Sequence, residues 1–193
     1  MKPDFDIIII GSGPAGVSAA FPLVKAGLRV LMVDGGKQAS VLLPEENFLD
    51  ARANDAEQWK WMVGEDFYAL KMHDAVSPKL RVPTVSYVFD QFERDNLIEG
   101  DNFITIGSLA TGGLSNAWGG GVACFSKDDL RAFPFPASEM EASYANVAMR
   151  IGISGGIADD LSDYFGLDEW AQPPIELDKL HTHLLNRYSL SKH

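Results

Sequence analysis

The chain has 193 residues, 46% of them apolar, and its 27 acidic against 16 basic side chains leave a net charge of −11 at neutral pH. Such a length suits one ordinary domain, or one and part of a second, and that apolar content excludes a disordered chain. The acidic excess excludes a binder of nucleic acid or of anionic membrane, because either needs a basic face and no Lys/Arg run of that kind exists.

Residues Phe5 to Ile10 are apolar and β-branched and stop at Gly11, which predicts a strand buried on both faces of a parallel sheet. Its aliphatic stretch, Ile7 to Ile10, is too short to span a bilayer, and the acidic Asp4 and Asp6 around its start are unlike a secretory leader. The reading is cytoplasmic. Pro14 stands where a first helical turn tolerates proline, and Ala15, Ala19, Ala20, Leu23 and Val24 give an apolar face ending at Gly27. Pro22 inside that helix predicts a kink or early thinning. Arg29 to Val33 follows as a second buried strand ending at Asp34, Gly35 and Gly36, so residues 5–34 form one βαβ unit.

A helix is predicted through Asp50 to Val63, with Ala51, Ala56, Trp59 and Val63 on one face. Trp59 and Trp61 read as a packed helix edge rather than a sugar platform. Thr84 to Phe89 and Asn102 to Ile106 read as strands, joined as a hairpin through the turn residues of Asn96 to Asp101. Gly107 to Gly121 then carries six glycines in fifteen residues. A solvated linker would be more polar than a segment holding Leu109, Leu114 and Trp118, so a backbone packed closely against something large is expected. Cys124 has no intrachain disulfide partner and reads as a small core residue. Ser126-Lys-Asp-Asp predicts a helix start, Phe133-Pro-Phe-Pro136 a rigid turn, and Ala137 to Ile151 a helix capped by Ser138 and closed by Gly152. A short helix over Asp159 to Phe165 and a last one over Glu176 to Leu190, stacking Leu177, Leu180, Leu184 and Tyr188, complete the chain.

Gly11-Ser12-Gly13-Pro14-Ala15-Gly16 matches G-x-G-x-x-G, follows a strand, opens a helix and is answered by Asp34 at the end of the next strand. Gly11 permits the tight turn, Gly13 lets the backbone approach a pyrophosphate, and Gly16 lets helix and strand pack closely. The helix N-terminus offers N–H groups to phosphates, and Asp34, followed by Gly35, would accept hydrogen bonds from an adenosine ribose. A P-loop is excluded, since Gly36-Lys37 has Leu31 where the first glycine belongs. Tyr188-Ser-Leu-Ser-Lys192 has the Tyr-x-x-x-Lys spacing of short-chain dehydrogenases, but it lies at the C-terminal extreme and the N-terminal glycines have the wrong pattern for that family.

Together with Gly112-Gly113-Leu114-Ser115-Asn116-Ala117-Trp118, the fingerprint resembles the glucose–methanol–choline oxidoreductases, most closely their sugar-oxidising branch. The resemblance covers Asp6 to Asp34 and about Gly107 to Gly152. It implies an α/β fold: a Rossmann-type FAD-binding domain with a parallel sheet over residues 1–130, and the helical start of a substrate or cap segment over 131–193. It also implies an FAD site made of Gly11, Ser12, Gly13, Pro14, Ala15, Gly16, Asp34 and Gly35 on the ADP side, with Gly112, Gly113, Ser115, Asn116, Trp118 and Gly119 along the pyrophosphate and isoalloxazine. Ala117 stands where some relatives carry a flavin-linking histidine, so noncovalent FAD is expected. Relatives run well beyond twice this length, with their active-site His and its His or Asn partner near the C-terminus, so an incomplete flavoenzyme, inactive alone, is expected. No catalytic residue is assigned and no metal site is expected, because His181 and His183, two apart on a helix, point to different sides. The implied partners are a sugar or alcohol substrate, an electron acceptor of unassigned identity and a second polypeptide able to supply the missing half.

Two other classes compete with an oxidoreductase. Gly113-Leu-Ser115-Asn-Ala117 nearly copies the G-x-S-x-G nucleophile elbow of hydrolases, but that elbow runs straight into a helix, which Trp118-Gly-Gly-Gly121 would break. A non-catalytic FAD- or NAD-binding module is the second alternative, because these residues contain no recognisable base.

Overall fold

The computed structural model describes residues 4–191 apart from Leu42, residues 72–76, Gly100, Ile104 and Asp160. The chain forms two compact units, Met1–Gly119 and Gly120–His193, a division earlier in the chain than the one after residue 130 that the sequence suggested.

The first unit begins with the βαβ element. Strand β1 (Ile7–Ile10) leads through the glycine turn into α1 (Pro14–Lys25), and β2 (Val30–Val33) returns parallel to β1 with Ile7 opposite Val30 and Ile10 opposite Val33. Both strands are short and apolar, β1 being entirely β-branched, and the helical crossover is what a parallel pair requires. Pro14 is in the first turn of α1, and Gly27, at φ +83°, ends the turn after it. The helix continues through Pro22 to Lys25, so the predicted early thinning does not occur. At the other end of the strands Arg29 grips Asp6. Its Nη2 donates to Asp6 Oδ1 at 2.9 Å and its backbone N–H to Oδ2 at 2.8 Å, so the carboxylate is held below its ordinary range by hydrogen bonds from the Arg29 side chain and backbone.

Burial of β1 on both faces is not realised: Ile8 is 64% and Ile10 86% exposed. Strand alternation explains the split. Ile7 and Ile9 are half-buried, whereas Ile8 and Ile10 point the other way.

The predicted Asp50–Val63 helix is two helices, α2 (Phe48–Asn54) and α3 (Trp59–Val63). Asp55 adopts extended dihedrals and its carboxylate accepts the Glu57 N–H at 2.8 Å, an Asx turn that competes with helix continuation. Asn47 caps α2, accepting the N–H groups of Leu49 and Asp50 at 3.1 Å. Trp59 stacks on Phe67 with ring centroids 4.7 Å apart.

The predicted strand Thr84–Phe89 is helical instead. Pro83 opens α4 (Pro83–Ser86), turns follow, and α5 (Phe92–Asn96) comes next. Proline at the first helical position outweighed the β-branched composition, and Val88 is fully buried within this turn-rich segment. No hairpin forms among the described residues. Of the predicted Asn102–Ile106 strand, Ile104 lies outside them and its neighbours have no regular structure.

In the second unit Asp129 accepts from the Ser126 backbone at 2.9 Å and hydroxyl at 2.7 Å, a reciprocal cap that leads into a single 3₁₀ turn, Asp129–Ala132. Helix α6 (Ser138–Ile151) forms as predicted and is closed by Gly152, but Ser138 is its first residue and Ala137 its cap. The predicted Asp159–Phe165 helix shrinks to α7 (Ser162–Phe165), and Asp160 lies outside the described residues. The last helix, α8 (Lys179–Ser191), starts three residues later than predicted and has no buried residue, so Leu180, Leu184 and Tyr188 form an exposed face.

Candidate functional site

The glycine fingerprint has the geometry its sequence requires. Gly11 takes φ +101°, a left-handed-side conformation that side chains disfavour, and its N–H donates to Val33 at 2.7 Å. A Cβ on Gly16 would lie 1.9 Å from the Gly11 carbonyl oxygen, so only glycine lets the first turn of α1 rest on the exit of β1. Gly13 differs: its φ of −68° is ordinary, and a Cβ there would meet only the Gly112 carbonyl, at 3.6 Å. The protein itself does not require glycine there, whereas a dinucleotide approaching the backbone would. No side chain caps α1, so the first-turn N–H groups of Ala15 and Gly16 have neither a helical nor a capping partner and carry the positive end of the helix dipole.

Asp34 stands at the end of β2, exposed and ionised. The Ser12 hydroxyl donates to its Oδ2, the Gly36 N–H to its Oδ1 at 2.8 Å, and the Thr111 hydroxyl to Oδ1 at 3.4 Å. These hydrogen bonds, Ser12's first, hold the Asp34 carboxyl below the usual carboxylate range. A carboxylate offers about four acceptor positions, so Asp34 keeps one for a ligand hydroxyl.

Residues 109–112 of the second glycine segment pack against the exit of β2, whereas a Cβ on Gly119, Gly120 or Gly121 would meet nothing within 4 Å, so the close packing expected of the whole segment holds only in its first half. Lys37 and Ala110 form a parallel bridge: the Lys37 N–H donates to Leu109 at 3.1 Å and the Thr111 N–H to Lys37 at 3.0 Å. Gly35 is the reason they can meet, because a Cβ there would lie 2.5 Å from the Leu109 carbonyl oxygen. The Gly112 N–H then donates to the Ser12 hydroxyl at 2.8 Å. Gly112 and Gly113 both have positive φ, and Gly113–Ala117 is a 3₁₀ turn. Within it the Ser115 hydroxyl donates to the Gly112 carbonyl at 2.7 Å, and Asn116 Nδ2 reaches the Thr111 and Gly113 carbonyls at 2.9 Å. Ser115 therefore shapes its own turn, and Trp118 is extended instead of helical, which leaves no strand-to-helix elbow for a hydrolase nucleophile.

Fingerprint, Asp34 and second glycine segment are thus joined in one unit. Beside them an open cleft of about 380 Å³ is lined by Pro14, Leu80, Phe89, Ile106, Leu114 and Trp118 among others. Trp118, half-exposed, and Gly119 are at its rim. Sequence reasoning missed Thr111, Lys37, Leu80 and Phe89. Thr111 had a signal, being the hydroxyl residue directly before Gly112-Gly113; the others are brought in by long-range packing. Elsewhere, burial pushes the Cys124 thiol up, away from reactivity, and His181 pairs with Asp178 at 2.7 Å on the surface of α8. Among the described residues no group of three or more His, Cys, Asp or Glu could hold a metal ion, and no helix is long and apolar enough to cross a membrane.

The pyridine nucleotide-disulphide oxidoreductase family matches residues 5–113, more than half of the chain. A 57-residue stretch is 42% identical to the ferredoxin–NADP reductase of Granulibacter bethesdensis, over 28% of this chain and 16% of that protein. A 64-residue stretch is 34% identical to the sarcosine oxidase subunit alpha of Corynebacterium sp., over 33% of this chain and 7% of that protein. The chain thus matches less than a fifth of the length of either relative. No solved structure matches it. The residues present suit an FAD dinucleotide: a glycine with no packing reason to be glycine, unsatisfied helix N–H groups, and an ionised carboxylate at the second strand end. The chain belongs to the pyridine nucleotide-disulphide oxidoreductase family, with a Rossmann-type unit for FAD as its oxidoreductase cofactor.

Proposed function

We propose that this chain provides the FAD-binding part of a glucose–methanol–choline-type oxidoreductase acting on the CH–OH groups of sugars or other alcohols. The observation that carries this reading is the hydrogen bond from the Gly112 N–H to the Ser12 hydroxyl, which joins two sequence segments 100 residues apart that the resemblance assigns to one cofactor. FAD, when bound, supplies the hydride acceptor.

The chain's own residues have separate tasks. Ala15 and Gly16 offer N–H groups to the pyrophosphate, Gly11 and Gly13 keep the backbone clear for it, and Asp34, backed by Gly35, accepts from the adenosine ribose. Gly112, Gly113, Ser115, Asn116, Trp118 and Gly119 form the wall along the flavin half, and the open cleft beside Pro14 offers it an apolar surface. Alcohol oxidation removes a hydride from carbon and a proton from oxygen, leaving a carbonyl, so a base is needed. Among the described residues the cleft lining contains no His, Asp or Glu, and the base is assigned to a segment outside them or to a partner chain.

The test is to supply the purified chain with FAD, sugar and simple alcohol substrates and a dye acceptor, alone and with candidate partner polypeptides. Substrate-dependent dye reduction that needs FAD supports the reading. Bound FAD with no turnover in any combination, or turnover restricted to a reduced pyridine nucleotide, contradicts it.

A further inference from the structure

The Ser12 hydroxyl has one proton and two lone pairs. The proton goes to Asp34 Oδ2, and one lone pair accepts the Gly112 N–H at 2.8 Å. Ser12 is therefore half-buried between two ligand-facing elements and has no proton left for a phosphate. On one side is the carboxylate that would hold the adenosine ribose. On the other is the glycine pair that opens the wall of the flavin cleft. Thr111 adds a second strut between them, its hydroxyl donating to Asp34 Oδ1 at 3.4 Å while its backbone pairs with Lys37.

Ser12 is also the only member of the fingerprint with a side-chain hydrogen-bonding group, its neighbours being Gly11, Gly13, Pro14, Ala15 and Gly16. Beside it Gly13 and Gly113 are in contact without side chains, a Cβ on Gly113 lying 3.5 Å from the Gly13 Cα, so within the fingerprint the Ser12 hydroxyl makes the polar link to the wall. Loss of the hydroxyl would leave Asp34 ionised and still bound by the Gly36 N–H, but the Gly112 N–H would lose its acceptor.

We infer that Ser12 is a positioning residue that seats the Gly112–Trp118 wall by reference to Asp34, so that it governs binding of the flavin half of FAD and not of the ADP half. The inference rests on the FAD reading above. It separates two ligands that share an ADP moiety, because ADP touches only the fingerprint and Asp34, whereas FAD also needs the wall.

The experiment measures the affinities of the full chain for FAD, by flavin fluorescence, and for ADP, by calorimetry, in wild type, Ser12→Ala, Ser12→Thr and Thr111→Val. Ser12→Ala is expected to weaken FAD about tenfold and ADP by less than about threefold, the size of one hydrogen bond in a charged network. Ser12→Thr should keep the wild-type ratio and the wild-type bound-flavin absorption band, and that band should shift in Ser12→Ala. Thr111→Val should change the ratio in the same direction by a smaller factor, and it carries the comparison if Ser12→Ala does not fold. Equal losses for FAD and ADP, or no loss for either, would overturn the inference while leaving the FAD reading intact. A wild-type chain that binds ADP but not FAD would overturn both, and that failure would show before any variant is made.

Discussion

A Cβ placed on Gly35 would sit 2.6 Å from the Cβ of Leu109 and 2.9 Å from its Cα, so the second glycine segment passes the end of β2 at a distance that only a hydrogen atom permits. That approach allows the Lys37–Ala110 bridge to form and brings Gly112 within reach of Ser12. The two glycine-rich stretches are held side by side because of it.

Gly35→Ala should therefore push residues 109–113 away and weaken FAD binding, and Gly16→Ala should destabilise the βαβ unit itself. Overpacking of this kind costs about 1–3 kcal/mol, and more where the obstructing atom is backbone that cannot give, as at Gly11. Gly119→Ala is the control, since a Cβ there meets nothing within 4 Å. Urea unfolding of the three variants checks the order: Gly119→Ala unchanged, the other two lowered.

Asp34→Ala should weaken FAD about tenfold, as expected for loss of a charged acceptor, whereas Asp50→Ala should not. Asp50 is in the first turn of α2, where its carboxylate accepts from Asn47. Parallel fluorescence titrations decide the point, and equal curves for the two variants would remove Asp34 from the site.

The acid limb of binding follows from the same carboxylate. Ser12 and Gly36 depress the Asp34 pKa below its ordinary 3.8, so its contribution is complete above that value and is lost as pH falls through the lower, folded-state value. FAD affinity should be level from neutral pH down to about pH 5 and fall only below about pH 4. Asp34→Asn should lack that Asp34-dependent limb, as a pH series of titrations on folded protein would show.

Asn47→Ala should destabilise the first unit by about 0.5–2 kcal/mol, because two N–H groups of α2 lose their cap. Chemical denaturation measures this, and FAD affinity extrapolated to fully folded protein should be unchanged.

The open face of β1 predicts self-association of the isolated chain. Ile8 and Ile10 present a contiguous apolar, β-branched surface next to the edge of β1 that no strand among the described residues covers. Light scattering should rise with protein concentration, and Ile10→Lys should lower it; a monodisperse monomer at all concentrations would contradict this.

What the sequence made legible is what local chemistry decides. The β-branched run Ile7–Ile10, proline at the first turn of α1, glycine at φ +101° and an acid at the end of β2 are each set within a few residues, and the parallel pairing of β1 with β2 followed from them. The segment from Pro83 to Ile106 was misread for the same reason in reverse. Val85 and Val88 are β-branched, but Pro83 starts a helical turn and burial of Val88 is satisfied there without a sheet. The docking of Gly107–Gly113 was anticipated from composition, yet its partners were not. Ser12 to Gly112 and Asp34 to Thr111 are contacts across 100 and 77 positions, for which no local pattern exists.

The most direct measurement of the central claim, that the two glycine segments make one FAD seat, is a fluorescence titration of FAD into the full 193-residue chain followed by displacement with ADP. Saturable quenching at one FAD per chain, reversed by ADP and with all flavin recovered in the supernatant after acid precipitation, is the predicted result. Quenching that does not saturate, flavin that ADP cannot displace, or colour retained in the protein pellet would contradict it.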